Sequence, residues 1–287
     1  MKKYKIKSFC KINLSLRVIK KLKNGYHSIK SFITFCGLYD EISICKIKDL
    51  KDKVSFSGKF KKGINKKSNT ITKVLYLLRK RNFFNQQAFK INIQKNIPHG
   101  SGLGGGSSNA ADLLNFLNTK MNLKLKKKEI TRIANQIGFD VPISLEKKNT
   151  FLTGEKNRII RIFKKFQLNI LIVYPNIICS TKKVYQNHKS LSFLKPQSNF
   201  YINNKKQLIN FLINESNDLE KTAVKFHPKI RKIIDFIGNQ DGCYFSRITG
   251  SGAACFGIFS NARAAVLTKK MIKLKFPKYW CEISKTI

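Results

Sequence analysis

Residues 98–109 read PHGSGLGGGSSN, and this stretch is the strongest signal in the sequence. Five glycines and three serines fall within twelve residues of a chain otherwise rich in lysine, isoleucine and phenylalanine. The alternating segment AFKINIQKNIP before it predicts a strand, and SSNAADLLNFLNTK predicts a helix that Ser107 and Ser108 can cap. A glycine-rich passage from strand to helix offers unpaired backbone N–H groups and the positive end of the helix dipole to an anion. The stretch therefore predicts a phosphate-binding loop.

Common phosphate-binding patterns do not fit this loop. Gly100, Gly102 and Gly105 satisfy G-x-G-x-x-G, but the chain then continues as helix up to Gly138, without the second strand ending in an acid that a dinucleotide site requires. No lysine follows the glycines, which excludes the G-x-x-x-x-G-K-[ST] loop. Neither H-R-D nor D-F-G occurs, which excludes a protein kinase.

The chain is very basic, with a formal net charge of +42 and an isoelectric point near 10.2. Such a charge is typical of proteins that bind nucleic acid, because lysines neutralise phosphates. The lysines are nevertheless spread over the whole chain beside isoleucine, asparagine and phenylalanine, which favours compositional drift over a selected surface. A positive field would still speed the association of a phosphorylated ligand.

Cysteine usage and hydropathy point to the cytoplasm. The seven cysteines are far apart, form no CxxC pair and mostly lie in apolar, strand-like segments, as reduced thiols do. The first residues lack the apolar stretch and cleavage site of a signal peptide. No run of about eighteen apolar residues predicts a membrane span.

Strands and helices are predicted in mixed order, which favours an α+β fold. Segments such as SFITFCGL and EISICKI alternate as strands do, whereas SNTITKVLYLLRKR (68–81) has the spacing of an amphipathic helix. A second helix is predicted near 127–137. Residues 156–287 predict strands, lysine-rich helices and a strand pair around GSGA, and a domain boundary is placed between 1–155 and 156–287. Further helices are predicted at about 180–187, 204–213, 228–238 and 261–274. The buried face of the helix at 68–81 is predicted to consist of Ile71, Val74, Leu75 and Leu78.

Three motifs together resemble the GHMP kinase superfamily. PHGSGLGGGSSNAA resembles its central ATP-binding motif, CKINLSL (10–16) its N-terminal motif, and RITGSGAACFGIF (247–259) its C-terminal glycine motif. The motifs occur in the expected order over almost the full chain. The resemblance implies a two-lobed α+β fold, with an N-terminal lobe like ribosomal protein S5 and a ferredoxin-like C-terminal lobe. It also implies ATP as the phosphate donor.

Finer features resemble one branch of that superfamily. Asn-Gly-Tyr-His after the first strand, GLGGGSSNAA and GFDVPISL are similar to kinases that phosphorylate the 2-hydroxyl of 4-diphosphocytidyl-2-C-methyl-D-erythritol in the non-mevalonate isoprenoid pathway. The expected partner is therefore a small cytidylated sugar-alcohol phosphate. Two alternatives stay open: a GHMP kinase of the homoserine or mevalonate type, and a basic nucleic-acid-binding protein on a degenerate kinase scaffold.

The resemblance implies two catalytic residues. Asp140, in GFDVP, corresponds to the general base, and its position before a proline predicts an extended turn. Lys11 lies in an apolar alternating strand, where an ammonium needs an anionic partner. The family match makes Asp140 that partner, with Lys11 also lowering the pKa of the substrate hydroxyl.

Binding residues are also carried over from the resemblance. An aromatic face and an imidazole suit a cytosine ring and its polar edge. The expected substrate-binding residues are Asn13, Tyr26, His27, Asp140, Thr181, Tyr185, Gly250 and Ser251. The expected ATP-binding residues are Pro98, Gly100, Gly102, Leu103, Gly104, Gly105, Gly106, Ser107, Ser108, Asn69 and Lys95.

No metal-ligating protein site is expected. Asp112, one turn into the helix after the glycines, is predicted to face solvent. Mg²⁺ is expected to arrive with ATP, held by phosphate oxygens, Ser107 or Ser108 and water. The expected protein is a monomer or homodimer that binds no membrane, and nucleic acid is not an expected partner.

Two segments depart from the family pattern. FLTGEKNRII keeps Gly154 but lacks the second glycine of the usual G-(I/V)-G-E, and YPNIICST replaces the usual P-G-(V/I)-x-(V/I)-x-T. Both adjoin the expected substrate side, so substrate affinity or loop closure could be altered.

Overall fold

A computed structural model describes residues 2–22, 25, 27–84, 86–153, 158–189, 191 and 202–287. The strands are β1 Lys3–Asn13, β2 Arg17–Lys21, β3 His27–Ile47, β4 Lys53–Ser57, β5 Ala88–Gln94, β6 Asn149–Thr153, β7 Arg158–Ile162, β8 Asn169–Tyr174, β9 Cys243–Ile248, β10 Cys255–Phe259 and β11 Trp280–Lys285. The helices are α1 Thr70–Arg79, α2 Gly105–Lys120, α3 Lys127–Ile137, α4 Val141–Ser144, α5 Thr181–Asn187, α6 Lys205–Ile213, α7 Glu220–Phe226, α8 Lys229–Gly238 and α9 Ala262–Lys275.

The chain clusters into two compact units that interleave along the sequence. Unit 1 consists of Met1–Lys11, Leu38–His99 and Gly104–Lys147, and unit 2 consists of Ile12–Gly37, Gly100–Leu103 and Lys148–Ile287. Strand β3 therefore contributes its first part to unit 2 and its last part to unit 1. The predicted domains 1–155 and 156–287 are consecutive rather than interleaved, and that boundary stays a prediction.

Unit 1 packs helices against paired strands. The last part of β3 pairs antiparallel with β5, and β5 pairs parallel with β4. Helix α1 begins with a capping box in which the Asn69 side chain accepts from the N–H groups of Ile71 and Thr72. The predicted apolar face of this helix is confirmed, since all four predicted residues are buried. The core joins strands β3 and β5 to helices α1, α2 and α3, and includes Ile42, Ile44, Val74, Leu78, Phe89, Ile91, Leu113, Leu117 and Ile133.

Unit 2 contains an antiparallel sheet in the order β11-β8-β10-β9, with α8 packed on β9 and β10 and α9 on β11 and β8. Strand β8 reads NILIVY and is buried along almost its whole length, because strands flank it on both sides and α9 packs on it. In the same unit the first part of β3 pairs with β2 and β6, and β6 pairs with β7.

The predicted α+β mixture is confirmed, and helices α1, α3, α5, α6, α8 and α9 lie where the sequence predicts them. Two short helices, α4 and α7, are not anticipated. No helix within the described ranges has both the length and the apolarity to span a bilayer. All seven cysteines are present as thiols.

Candidate active site

Unit 1 brings together the two predicted catalytic side chains. Lys11 lies near the end of β1 with only 3% of its side chain exposed, and its Nζ is 3.0 Å from Oδ2 of Asp140. The carboxyl of Asp140 is 43% exposed. The predicted ion pair is confirmed. A buried ammonium is thus held by a carboxylate that remains accessible to a ligand.

The backbone prediction for Asp140 is wrong. Its φ of −83° and ψ of −9° are helical rather than extended, and it is the N-cap of α4. Pro142 lies in the first turn of that helix, where a proline lacks only an N–H that would have no partner in any case. The proline therefore starts a helix, and Asp140 sits immediately before it.

Helix α2 begins differently from the expectation. Its N-cap is Gly104, at φ +66°, and no side chain of the described residues caps it, so the predicted serine cap is wrong. A Cβ at Gly104 would lie 2.9 Å from Cε of Lys11. Glycine thus provides both the left-handed backbone and the space for the Lys11 side chain beneath the start of the helix. The resulting helix end is suited to an anion, because its first N–H groups carry partial positive charge.

The two predicted phosphate-binding serines have different surroundings. Ser108 is fully buried, and its hydroxyl donates to Oγ of Ser144 at 3.3 Å. Ser144 in turn donates to the carbonyl of Asp140 at 3.0 Å, which links α2 to the turn that carries the predicted base. Ser107 is partly exposed, so of the two it is the better placed for a ligand. Gly105 is buried, and Gly106 is exposed with its carbonyl accepting from Thr70.

Asn69 and Lys95, predicted to bind ATP, have structural partners in unit 1. The amide of Asn69 caps α1 and donates to the carbonyls of Asn65 and Lys66. Lys95 is 3% exposed and forms an ion pair with Asp40, which sequence reasoning did not single out. Pro98, at the start of the glycine-rich stretch, is buried. The ATP contacts of these residues stay predictions.

Asp112, predicted to face solvent, is instead largely buried in unit 1. Its carboxylate accepts from Nζ of Lys147 at 2.8 Å, and 14% of the side chain is exposed. Burial raises the pKa of this carboxyl, and the neighbouring Lys147 ammonium opposes the rise. The prediction is wrong because Asp112 points toward the segment after α4, which no local pattern shows.

In unit 2 the three sequence motifs meet. The carbonyl of Ser101 accepts from the N–H of Ala254 at 2.9 Å, and Thr249 donates to the carbonyl of Gly102. The N–H of Asn13 donates to Oγ1 of Thr249 at 2.9 Å.

A Cβ at Gly102 would lie 2.1 Å from the carbonyl oxygen of Thr249, so only glycine fits. Gly100 lies exposed in this segment, Leu103 is buried, and Gly250 lies against Gly102 and Asn13.

Apart from Asp140 in unit 1, the described residues that are predicted to bind the substrate lie in unit 2. The rings of His27 and Tyr185 are in contact, with centroids 5.1 Å apart and planes inclined at 33°. Desolvation lowers the pKa of His27, and the charges of Lys21 and His188 lower it further. The hydroxyls of Thr181 and Ser251 are 2.9 Å apart. Tyr26 lies outside the described residues.

One of the two departures from the family pattern is accommodated locally. Asn176, which replaces the usual glycine, adopts φ +58°, and asparagine tolerates this left-handed backbone better than most residues. Its side-chain amide donates to the carbonyl of Lys278 at 2.7 Å. The loop thus keeps a conformation that glycine would allow. Gly154 lies outside the described residues.

Comparison with known proteins agrees with these motifs. The model of the GHMP kinase N-terminal domain matches residues 69–148, and that of the GHMP kinase C-terminal domain matches residues 203–278. A protein of Pelagibacter ubique (strain HTCC1062) is 39% identical over 100% of both chains. The chain belongs to the GHMP kinase family. The resemblance inferred from the three motifs is therefore confirmed.

Two full-length relatives of this GHMP kinase share one name. The Pelagibacter ubique protein is named 4-diphosphocytidyl-2-C-methyl-D-erythritol kinase. So is a protein of Anaplasma phagocytophilum (strain HZ), 32% identical over 98% of this chain and 93% of its own. A crystal structure of 4-(cytidine 5'-diphospho)-2C-methyl-D-erythritol kinase superposes with a TM-score of 0.76 at 20% identity, over 99% of this chain and 100% of its own. That structural likeness establishes the GHMP kinase fold.

Proposed function

We propose that this protein transfers the γ-phosphoryl group of ATP to the 2-hydroxyl of 4-diphosphocytidyl-2-C-methyl-D-erythritol, in the non-mevalonate isoprenoid pathway. The observation that carries the proposal is the ion pair between buried Lys11 and accessible Asp140 beside the start of α2. Full-length relatives at 39% and 32% identity, both named for this activity, support the choice of substrate.

The Lys11–Asp140 pair activates the acceptor hydroxyl. Phosphoryl transfer depends mainly on positioning and charge stabilisation, and a carboxylate orients or deprotonates the attacking hydroxyl. Asp140 is exposed enough to accept that proton. Lys11 fixes the carboxylate by its ion pair and lowers the pKa of the substrate hydroxyl through its positive charge. The buried ammonium therefore serves both the base and the acceptor.

The glycine-rich stretch holds the phosphate donor. The uncapped N–H groups at the start of α2 and the partly exposed Ser107 hydroxyl suit phosphate oxygens. Mg²⁺, when bound with ATP, supplies charge neutralisation at the transferring phosphate. The ion would be held by phosphate oxygens, the Ser107 hydroxyl and water. Ser108 fits less well, because its hydroxyl is directed at Ser144.

The cytidylated acceptor is bound by side chains of unit 2. His27 and Tyr185 provide ring faces for the cytosine. A contact of Tyr26 with the cytosine is proposed from the sequence alone. Since the rings of His27 and Tyr185 contact each other, a pyrimidine enters between them only when they part. The substrate diphosphate and its erythritol end are contacted by Asn13, Thr181, Gly250 and Ser251. The neutral imidazole favoured by its surroundings leaves one ring nitrogen as an acceptor for the exocyclic amine of cytosine.

The protein acts in the cytoplasm as a monomer or homodimer on a small molecule, with neither a membrane nor nucleic acid as partner. Its charge of +42 speeds the arrival of ATP and the diphosphate substrate. This steering weakens as salt is added, because exposed charges are screened.

The test is a coupled assay with purified protein and Mg·ATP, offering 4-diphosphocytidyl-2-C-methyl-D-erythritol, homoserine and mevalonate in parallel. ADP and the 2-phosphate should form with the cytidylated acceptor alone, and mass spectrometry locates the new phosphate. ATP binding without turnover on any acceptor, or turnover on homoserine or mevalonate instead, would overturn the proposal. Salt-sensitive binding of RNA or DNA without kinase activity would favour the nucleic-acid alternative.

A further inference from the structure

Asp40 is a buried carboxylate of unit 1 whose two oxygens accept four hydrogen bonds. It lies on β3 with no exposed surface, and its Oδ1 accepts from the backbone N–H groups of Asn96 at 2.8 Å and Ile97 at 2.9 Å. Its Oδ2 accepts from Nζ of Lys95 and from Nδ2 of Asn109, the latter at 3.1 Å. Lys95 also donates to Oδ1 of Asn109 at 3.0 Å. We call Asp40, Lys95 and Asn109 the anchor cluster.

The anchor cluster contacts both ends of the glycine-rich stretch. Asn96 and Ile97 lead directly into Pro98, and Asn109 lies on α2, which begins at Gly105. A Cβ at Gly105 would be 3.0 Å from Ile97 and 3.4 Å from Oδ2 of Asp40. One carboxylate therefore ties the segment that enters the stretch to the helix that leaves it, and a methyl group at Gly105 would press on Ile97 and lie against this carboxylate.

The charge of this cluster bears on phosphate binding. A carboxylate near the first residues of a helix competes with an external anion for the positive helix end. The Lys95 ammonium neutralises Asp40 locally, so the helix start remains available to an anion. A buried ion pair is weak evidence for stability, because desolvation offsets much of its attraction. The Asp40–Lys95 pair has another use here: the carboxylate holds the glycine-rich stretch, and the ammonium cancels the charge of that carboxylate.

We propose that Asp40 and Lys95 are positioning residues for the phosphate donor. Asp40 holds the two ends of the glycine-rich stretch through its hydrogen bonds, and Lys95 cancels the negative charge that this carboxylate would otherwise place beside the phosphates. Lys95 thus acts on ATP through Asp40 and not by touching the nucleotide. This inference rests on the proposed function, since it assumes that the stretch binds ATP.

Four variants separate these roles: Lys95→Met, the double variants D40N/K95M and D40L/K95M, and Lys90→Met as a control. Lys90 is an exposed lysine on β5, near Lys95 in sequence. In D40N/K95M the asparagine carbonyl still accepts from Asn96 and Ile97, and its amide can donate to Asn109. In D40L/K95M a side chain of similar size removes every one of these hydrogen bonds.

The measurement is the Kd of a non-hydrolysable ATP analogue by calorimetry, together with thermal unfolding and the KM for the acceptor. Lys95→Met should raise the Kd about ten-fold or more, because an uncompensated carboxylate remains near the phosphates. D40N/K95M should return the Kd to near the parent value, and D40L/K95M should not. The KM for the cytidylated acceptor and the Kd of Lys90→Met should stay at the parent value.

Several results would overturn the inference. A Kd in D40N/K95M as weak as in Lys95→Met would indicate direct contact between Lys95 and the nucleotide. An unchanged Kd in Lys95→Met or in D40L/K95M would show that the cluster does not act on the loop. If Lys95→Met fails to fold, the two double variants, which lack the buried charge, still decide the question. Because nucleotide binding needs no acceptor, failure here is distinct from failure of the parent protein to phosphorylate its proposed substrate.

Discussion

The Lys11 ammonium and the Asp140 carboxylate lie 3.0 Å apart, with the lysine buried and the aspartate nearly half exposed. This asymmetry assigns different roles to the partners. The lysine is shielded from bulk water and held on a strand, whereas the aspartate stands at the start of a short helix and can reach a ligand. A surface ion pair would have both groups in water and would contribute little.

Asp140→Asn should lower kcat by roughly 10²- to 10⁴-fold, because general base catalysis contributes a factor of that size. The KM for ATP should change little, since the proposed base acts on the acceptor hydroxyl and not on ATP. Steady-state kinetics at saturating ATP measure both values. Asp241→Asn, at an exposed aspartate in the turn before β9, is the matched control and should keep the parent kcat. If the Asp140→Asn enzyme kept the parental kcat, Asp140 would not be the general base.

Lys11→Met should also lower kcat, and should do so without a corresponding loss of stability. The methionine keeps the buried chain, and Asp140, being partly exposed, can be solvated when its partner is removed. Lys3→Met changes an exposed lysine on the same strand and should leave kcat unchanged. Thermal unfolding measured beside the kinetics tests the second claim. Loss of activity that merely follows loss of fold would contradict it.

Gly102→Ala should destabilise the protein, because its methyl group would lie 2.1 Å from the Thr249 carbonyl oxygen at a φ of +84°. Forcing a methyl into a packed site costs about 1–3 kcal/mol, and the positive φ adds strain. Urea unfolding gives the free energy. Gly106→Ala is the control for stability. Gly106 lies in α2, and a Cβ there would be at an ordinary contact distance of 3.7 Å from the Thr70 side chain of α1. That change should gain up to about 1 kcal/mol, as alanine favours helix. A Gly102→Ala protein as stable as the parent would show that the backbone at Gly102 can move away from the backbone at Thr249.

The sequence alone predicts the features that depend on local patterns or on whole motifs. The apolar face of α1 follows from its spacing, and the partnership of Lys11 with Asp140 follows from the family motifs. Asp40 gives no such signal, because its ion-pair partner Lys95 and its amide donor Asn109 lie 55 and 69 residues away. The helical start at Asp140 and the burial of Asp112 are missed for a related reason. At both Asp140 and Asp112, tertiary packing selects one of the conformations that the local sequence permits.

Substitution of Asn176 should show that its conformation, and not its identity, matters in the loop before α5. Asn176→Gly should keep stability within about 1 kcal/mol, because the lost hydrogen bond to Lys278 is offset by glycine's ease at φ +58°. Asn176→Val loses the same hydrogen bond and strains the backbone by about 1–2 kcal/mol. Unfolding free energies of the three proteins give the comparison. Equal stability of the glycine and valine variants would show that the loop adopts another backbone.

His27 should titrate below its ordinary pKa of about 6.5, because desolvation and the charges of Lys21 and His188 all oppose the imidazolium. A lowered folded-state pKa means that the unfolded chain binds the proton more tightly. The stability that His27 contributes is therefore complete above the unfolded pKa and is lost as the pH falls through the folded pKa. An NMR titration of the imidazole, assigned with His27→Gln, measures the shift.

Binding of the cytidylated acceptor should depend on the protonation of His27. If the neutral imidazole accepts from the cytosine amine, the KM for the cytidylated acceptor should stay constant above pH 6.5 and rise as the pH falls through the folded pKa of His27. The KM for ATP should not share this dependence, which separates a local effect from a general loss of fold. In His27→Gln the acceptor KM should be higher at neutral pH and should lose its dependence over this range. An acceptor KM that still rises at low pH in this variant would place the titrating group elsewhere.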